Sequence, residues 1–114
     1  MIQLGYFTID TEDLDKARAF YSGLFGWTFD EARSHPTYAH VAGGQPSFGF
    51  TKVERAKDNP HLYFRVADVE ALCARVGELG GRAAVPSESR SGTTAVVRDN
   101  QGVSFSLWQP APGF

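Results

Sequence analysis

Tyr6, Thr51, His61, Tyr63, Arg65, Ser106 and Trp108 share one property. Each falls on the polar side of a segment that alternates apolar and polar residues, the period of a strand with two unlike faces. Phe7 and Ile9 oppose Tyr6, Thr8 and Asp10. Phe48 and Phe50 oppose Ser47, Gly49 and Thr51. Leu62, Phe64 and Val66 oppose His61, Tyr63 and Arg65, and Val103, Phe105 and Leu107 oppose Ser104, Ser106 and Trp108. The apolar sides are expected to cover helices. The other sides mix aromatic rings with hydroxyls and carry neither Lys nor Glu, unlike a face turned wholly to water. They read as a concave, ligand-holding surface, with a solvated face or a subunit contact as the alternative.

On that surface Tyr63 and Trp108 offer flat rings for an aromatic or cyclic ligand. Thr51, Ser106 and His61 offer directional hydrogen bonds, and Arg65 can pair with an anionic group. An imidazole titrates near neutral pH, so His61 is either a ligand contact or general base, or a structural group bonded to Tyr6 or a hydroxyl. His40 alternates with Ala39 and Val41 and points to the same side, whereas His35 falls in a loop and is expected to be solvated. The surface lacks an acidic cluster, which argues against a strongly cationic ligand. No G-x-S-x-G elbow is present for a serine nucleophile, and Gly80-Gly81 and the loop 87–92 lack the glycine fingerprint of a phosphate cradle.

The elements that must position these residues come in two similar sets. In DLDKARAFYSGLFGW, residues 13–27, Leu14, Ala17, Phe20, Tyr21, Leu24 and Phe25 fall on one helical face. Asp13 is placed to cap the start, and Gly26 to end it. In DVEALCARVGELGG, residues 68–81, Asp68 and Gly81 bracket a second helix at the same separation, with Val69, Leu72, Cys73, Val76 and Leu79 on its apolar side. The shared offset extends to Tyr6 and His61, Ile9 and Phe64, Val41 and Val96, and Phe50 and Phe105, the mark of a duplicated unit. The first unit reads as a strand (3–10), the helix, and three strands (27–31, 37–42 and 47–53), with a loop over 32–36. The second reads as a strand (61–66), the helix, a short extended piece (82–85), a Ser/Gly-rich loop (87–92), and strands 93–98 and 103–109. One domain is expected over 1–114, made of modules 1–54 and 61–109 joined by a polar linker, 55–60.

Bulk properties narrow the classes. The chain has 114 residues, 42% hydrophobic and 21% charged, enough for one core. A net charge of −2 gives no general attraction to nucleic acid or to an anionic membrane. Cys73 is the single cysteine, so no internal disulfide forms, and its place on an apolar helix face reads as a buried, inert thiol. No apolar run approaches a membrane span, and the first residues lack the features of a secretory signal, so a cytoplasmic location is expected.

The βαβββ repeat, with Asp13, Ala17, Phe20-Tyr21, Leu24-Phe25-Gly26-Trp27, His61-Leu62-Tyr63-Phe64, Val66, Asp68, Leu79-Gly80-Gly81 and Asp99 followed by 102–110, resembles the vicinal oxygen chelate superfamily of glyoxalase I, bleomycin-resistance proteins and extradiol dioxygenases. The resemblance spans nearly the whole chain. It implies an α+β fold of two tandem βαβββ modules forming a curved mixed sheet around a cavity, usually in a dimer. It also implies metal-ligand positions, which count onto Tyr6, Thr51, His61 and Ser106 here. Of these only His61 is a usual ligand.

The sequence is therefore read as a metal-free small-molecule-binding protein, without cofactor and as a homodimer. Its ligand is expected to be aromatic or cyclic, neutral or anionic, and held by Tyr6, His40, Thr51, His61, Tyr63, Arg65, Ser106 and Trp108. The rival reading is an enzyme of the same superfamily, a lyase, isomerase or dioxygenase using a divalent metal or His61 as general base. A third is an interaction domain whose sheet face meets a partner chain.

Overall fold

The structure, a computed structural model, describes residues 1–56 and 60–114. The chain falls into two compact units, Met1–Asp58 and Asn59–Phe114. Residues 57–59 of the expected linker lie outside the described residues.

In the first unit β1 (Tyr6–Thr11) leads into α1 (Leu14–Phe25), followed by β2 (Tyr38–His40) and β3 (Ser47–Lys52). The sheet order is β1-β3-β2, with β1 parallel and β2 antiparallel to β3. The helix begins where Asp13 Oδ1 accepts the Lys16 amide at 3.0 Å. It ends at Gly26, whose φ of 71° only glycine adopts readily, with the Gly26 amide donating to Ser22. Its apolar face carries Ala17, Phe20, Tyr21 and Leu24 into a core completed by Ile9, Ala39, Val41, Phe48 and Phe50.

One expected strand of this unit is reduced to a bridge. Over 27–31 a single bridge joins Phe29 to Val41, and Glu31–Arg33 winds into a 3₁₀ turn. The Asp30 carboxylate accepts the Ala32 amide at 3.1 Å, the local competition by which a short acidic side chain favours a turn over a ladder. Trp27 leaves the strand pattern to pack on Tyr21, with centroids 5.6 Å apart, and on Phe48 at 4.9 Å.

The second unit runs β4 (Tyr63–Arg65), α2 (Val69–Glu78), β5 (Arg82–Ala83), β6 (Ser87–Ser89), β7 (Gly92–Arg98) and β8 (Ser104–Pro110). The order is β4-β8-β7-β5, with β6 also paired to β7 and β4 parallel to β8. Asp68 caps α2 by accepting the Ala71 amide. At the other end the Gly81 amide reaches Val76 and the Gly80 amide reaches Gly77, a Schellman closure with Gly80 at φ 91°. The expected loop 87–92 is instead a hairpin in which Ser89 pairs with Gly92. All three β6 residues are exposed, so no apolar alternation marked them as a strand. The buried Asp99 builds the last turn, its Oδ1 accepting the amides of Gln101 at 2.8 Å and Val103 at 3.0 Å.

Together these give an α+β fold with two helices and two mixed sheets among the described residues. Cys73 is half-buried, and burial, with Glu70 nearby, raises its thiol pKa, which disfavours the thiolate. No described helix is long and apolar enough to cross a membrane.

Candidate functional site on the polar sheet faces

In the first unit the register sets Tyr6 beside Ser47, Thr8 beside Gly49 and Asp10 beside Thr51. From the other edge Tyr38 lies beside Thr51 and His40 beside Gly49. These residues share the face opposite the core. A hydrogen-bonded chain runs across it. The Tyr6 hydroxyl donates to the Tyr38 hydroxyl at 2.7 Å, and Tyr38 meets His40 Nδ1 at 2.5 Å. His40 Nε2 lies 3.3 Å from the Ser47 hydroxyl. With Tyr6 as donor, the Tyr38 proton goes to Nδ1. The neutral imidazole then keeps its own proton on Nε2 and gives it to Ser47.

His40 is buried beneath this chain with both ring nitrogens engaged, so it holds Tyr38 in place. Burial, and next the bond from Tyr6, push the Tyr38 phenol well above its ordinary pKa, so it stays neutral.

Gly49 makes this arrangement possible. A Cβ on it would lie 2.6 Å from two Tyr38 ring carbons, so the ring rests directly on the glycine backbone. Above lies a hollow of about 410 Å³ lined by Tyr6, Arg33, His35, Thr37, Tyr38 and Thr51. The structure thus brings Tyr6 and Thr51 to one hollow. It adds Tyr38, Arg33 and His35, which the sequence reading did not place there. For Tyr38 a signal existed, since it alternates in step with His40. For Arg33 and His35 there was none, because residues 32–36 read as a loop.

In the second unit Tyr63 pairs with Ser106 and Arg65 with Trp108, and all four face away from Phe64, Phe105 and Leu107. His61 Nε2 lies 2.7 Å from the buried Ser106 hydroxyl, and its ring meets Tyr63 edge-on at 5.0 Å. Tyr63 is 62% exposed and free to be covered by a ligand. Trp108 is less available than expected. Its indole N–H donates to the Ser91 carbonyl at 3.1 Å, and the Arg65 guanidinium sits 5.6 Å over its ring. Arg65 also donates to the Phe114 carbonyl at 3.2 Å.

The metal positions implied by the resemblance are taken up otherwise. Tyr6 donates its proton to Tyr38, Thr51 offers a neutral hydroxyl, and His61 and Ser106 bond each other. Among the described residues no group of three or more His, Cys, Asp or Glu comes together. Divalent ions of this superfamily's chemistry need imidazole or carboxylate donors, so this donor set does not fit one.

A glyoxalase-like domain model matches residues 6–108, and the chain belongs to this family, within the vicinal oxygen chelate superfamily. It is 33% identical over 109 residues to the candidate glyoxylase CFP32 of Mycobacterium tuberculosis, covering 90% of this chain and 42% of that protein. The chain thus spans less than half the length of this relative. Among solved structures, a glyoxalase/bleomycin resistance protein/dioxygenase family enzyme of Burkholderia phytofirmans aligns with a TM-score of 0.81 at 22% identity, over 94% of this chain and 98% of that one. TnmS3, an antibiotic binding protein of Streptomyces sp. CB03234, aligns at 0.76 and 24%, over 97% and 98%. The bleomycin-binding protein of Streptomyces verticillus, solved with copper(II)-bleomycin, aligns at 0.69 and 20%, over 97% and 100%. At these identities the structural likeness speaks for the fold alone.

Proposed function

We propose that the chain is a metal-free small-molecule-binding protein of the glyoxalase/bleomycin-resistance type, with an aromatic or cyclic ligand that is neutral or anionic. The observation that carries this reading is the Tyr6–Tyr38–His40 chain seated on Gly49, which builds a phenolic floor beneath an open hollow. Its hydrogen bonds are satisfied internally, so the floor is held in shape before a ligand arrives and little ordering entropy is lost on binding. In the second unit His61, Tyr63, Arg65, Ser106 and Trp108 offer a similar mixture of rings and polar groups. The reading includes a homodimer.

One observation favours a second reading. His61 is exposed and oriented by Ser106, as a general base would be. Ser106 itself is 1% exposed, so of this pair the imidazole is the group open to a substrate.

A library of planar metabolites and drugs, screened by thermal shift and ligand-observed NMR, tests binding. Truncating a stacking ring is expected to cost about 1–3 kcal/mol, roughly ten- to a hundredfold in affinity. Tyr6→Ala or Tyr63→Ala should therefore weaken the hits, while Glu78→Ala on the exposed end of α2 leaves them unchanged. Hits that bind all three variants alike would place the site elsewhere.

A further inference from the structure

We propose that the hollow of the first unit is selective for small planar organic anions, with a carboxylate held by Arg33 and His35 and the ring lying on Tyr6 and Tyr38. The proposal rests on the binding function above and narrows it to one charge class and one set of residues.

The electrostatics of the lining point this way. None of the six lining residues is acidic. Asp10 stands beside Thr51 in register but does not line the hollow. Tyr38, held neutral by burial and by Tyr6, adds no negative charge to the floor.

Two donors at the rim are left unspent. The Arg33 side chain is 71% exposed, and its one ion pair among the described residues joins Nε to Asp30 Oδ2 at 3.7 Å. That distance is too long for a hydrogen bond, so the fork of terminal N–H groups stays open to a carboxylate. The other oxygen of Asp30 caps the Ala32 amide.

His35 is fixed more firmly. Its Nδ1 lies 3.4 Å from the Thr37 amide and 3.3 Å from the Thr37 hydroxyl. A backbone N–H can only donate, so Nδ1 carries the lone pair and the neutral ring keeps its proton on Nε2. No described residue accepts that proton. Backbone bonds in both directions between His35 and Tyr38, at 2.9 and 3.0 Å, and ring contact at 5.6 Å hold the imidazole above the floor. A guanidinium and an imidazole N–H beside two phenol rings match an anionic head on a flat body.

The test compares naphthoate with its neutral isostere naphthamide, by saturation-transfer NMR and calorimetry on the full chain. Naphthoate is expected to bind at least about tenfold tighter. The preference should disappear in Arg33→Gln, shrink in His35→Phe, which keeps the ring over Tyr38, and fall with added salt. Arg33 is exposed, so an unchanged unfolding transition is expected to confirm that Arg33→Gln remains folded. Equal affinity for the two compounds, a preference that survives Arg33→Gln, or no binding of either would overturn the proposal. Failure of the underlying function is read separately, as the absence of any hit in the wider planar library.

Discussion

Phe50→Ala is expected to remove about 3–5 kcal/mol of stability, the usual cost of emptying a buried phenylalanine site that cannot collapse. Phe50 is 1% exposed and stands at the centre of an aromatic cluster. Its ring lies 4.8 Å from Tyr21, 6.2 Å from Phe29 and 6.4 Å from Trp27. The cluster joins α1, the segment after it and β3, so one truncation strips contacts from three parts of the unit. Domains of this size hold only about 5–15 kcal/mol in reserve, so the variant should be partly unfolded at physiological temperature. Urea unfolding should show a much lower midpoint with an unchanged slope. A loss below about 1 kcal/mol would mean that the rings close over the gap, contrary to the tight packing inferred here.

Gly49→Ala, one residue away and facing the other side, should act differently. The new methyl would lie 2.6 Å from the Tyr38 ring, well inside contact distance. Because Tyr38 is half-buried, it can swing outward instead of straining the strand, at the loss of its bonds to Tyr6 and His40. Overpacking of this kind costs about 1–3 kcal/mol. It should also abolish binding in the hollow, whose floor would be gone. A double-mutant cycle isolates the cause. In a Tyr38→Ala background Gly49→Ala should be nearly neutral, giving a coupling energy close to the whole single-mutant cost. Additive effects would show that Gly49 is needed for some other reason.

Much of this fold was legible in the sequence because its signals are local. Asp13, Gly26, Asp68 and Gly80-Gly81 cap two helices through bonds made within one turn of the chain, and capping chemistry survives in a bare sequence. The alternation in β1, β3 and β8 picked out the core side chains Ile9, Phe48, Phe50, Phe105 and Leu107. The misreadings came where tertiary contacts overrule the pattern. Trp27 is drawn to Tyr21 and Phe48, and Asp30 captures an amide, so the expected strand shrinks to a bridge and ends in a turn. The hairpin at 87–92 carries no apolar residue to announce it.

The site was legible only by face. That Tyr6 and Thr51 each lie on the side of their strand opposite the core follows from the period of a strand. That Tyr38 bridges Tyr6 to His40, that Gly49 makes room for it, and that a turn brings Arg33 and His35 above it depend on cross-strand pairing. No alternation pattern encodes that pairing.

Metal-free binding is tested most directly by titrating the tightest planar hit before and after exhaustive chelation, with elemental analysis of the same sample. Unchanged affinity, and less than a stoichiometric amount of any divalent ion at the start, is the expected result. Loss of binding on chelation, restored by one zinc, nickel, iron or manganese ion per chain and absent in His61→Ala, would contradict it.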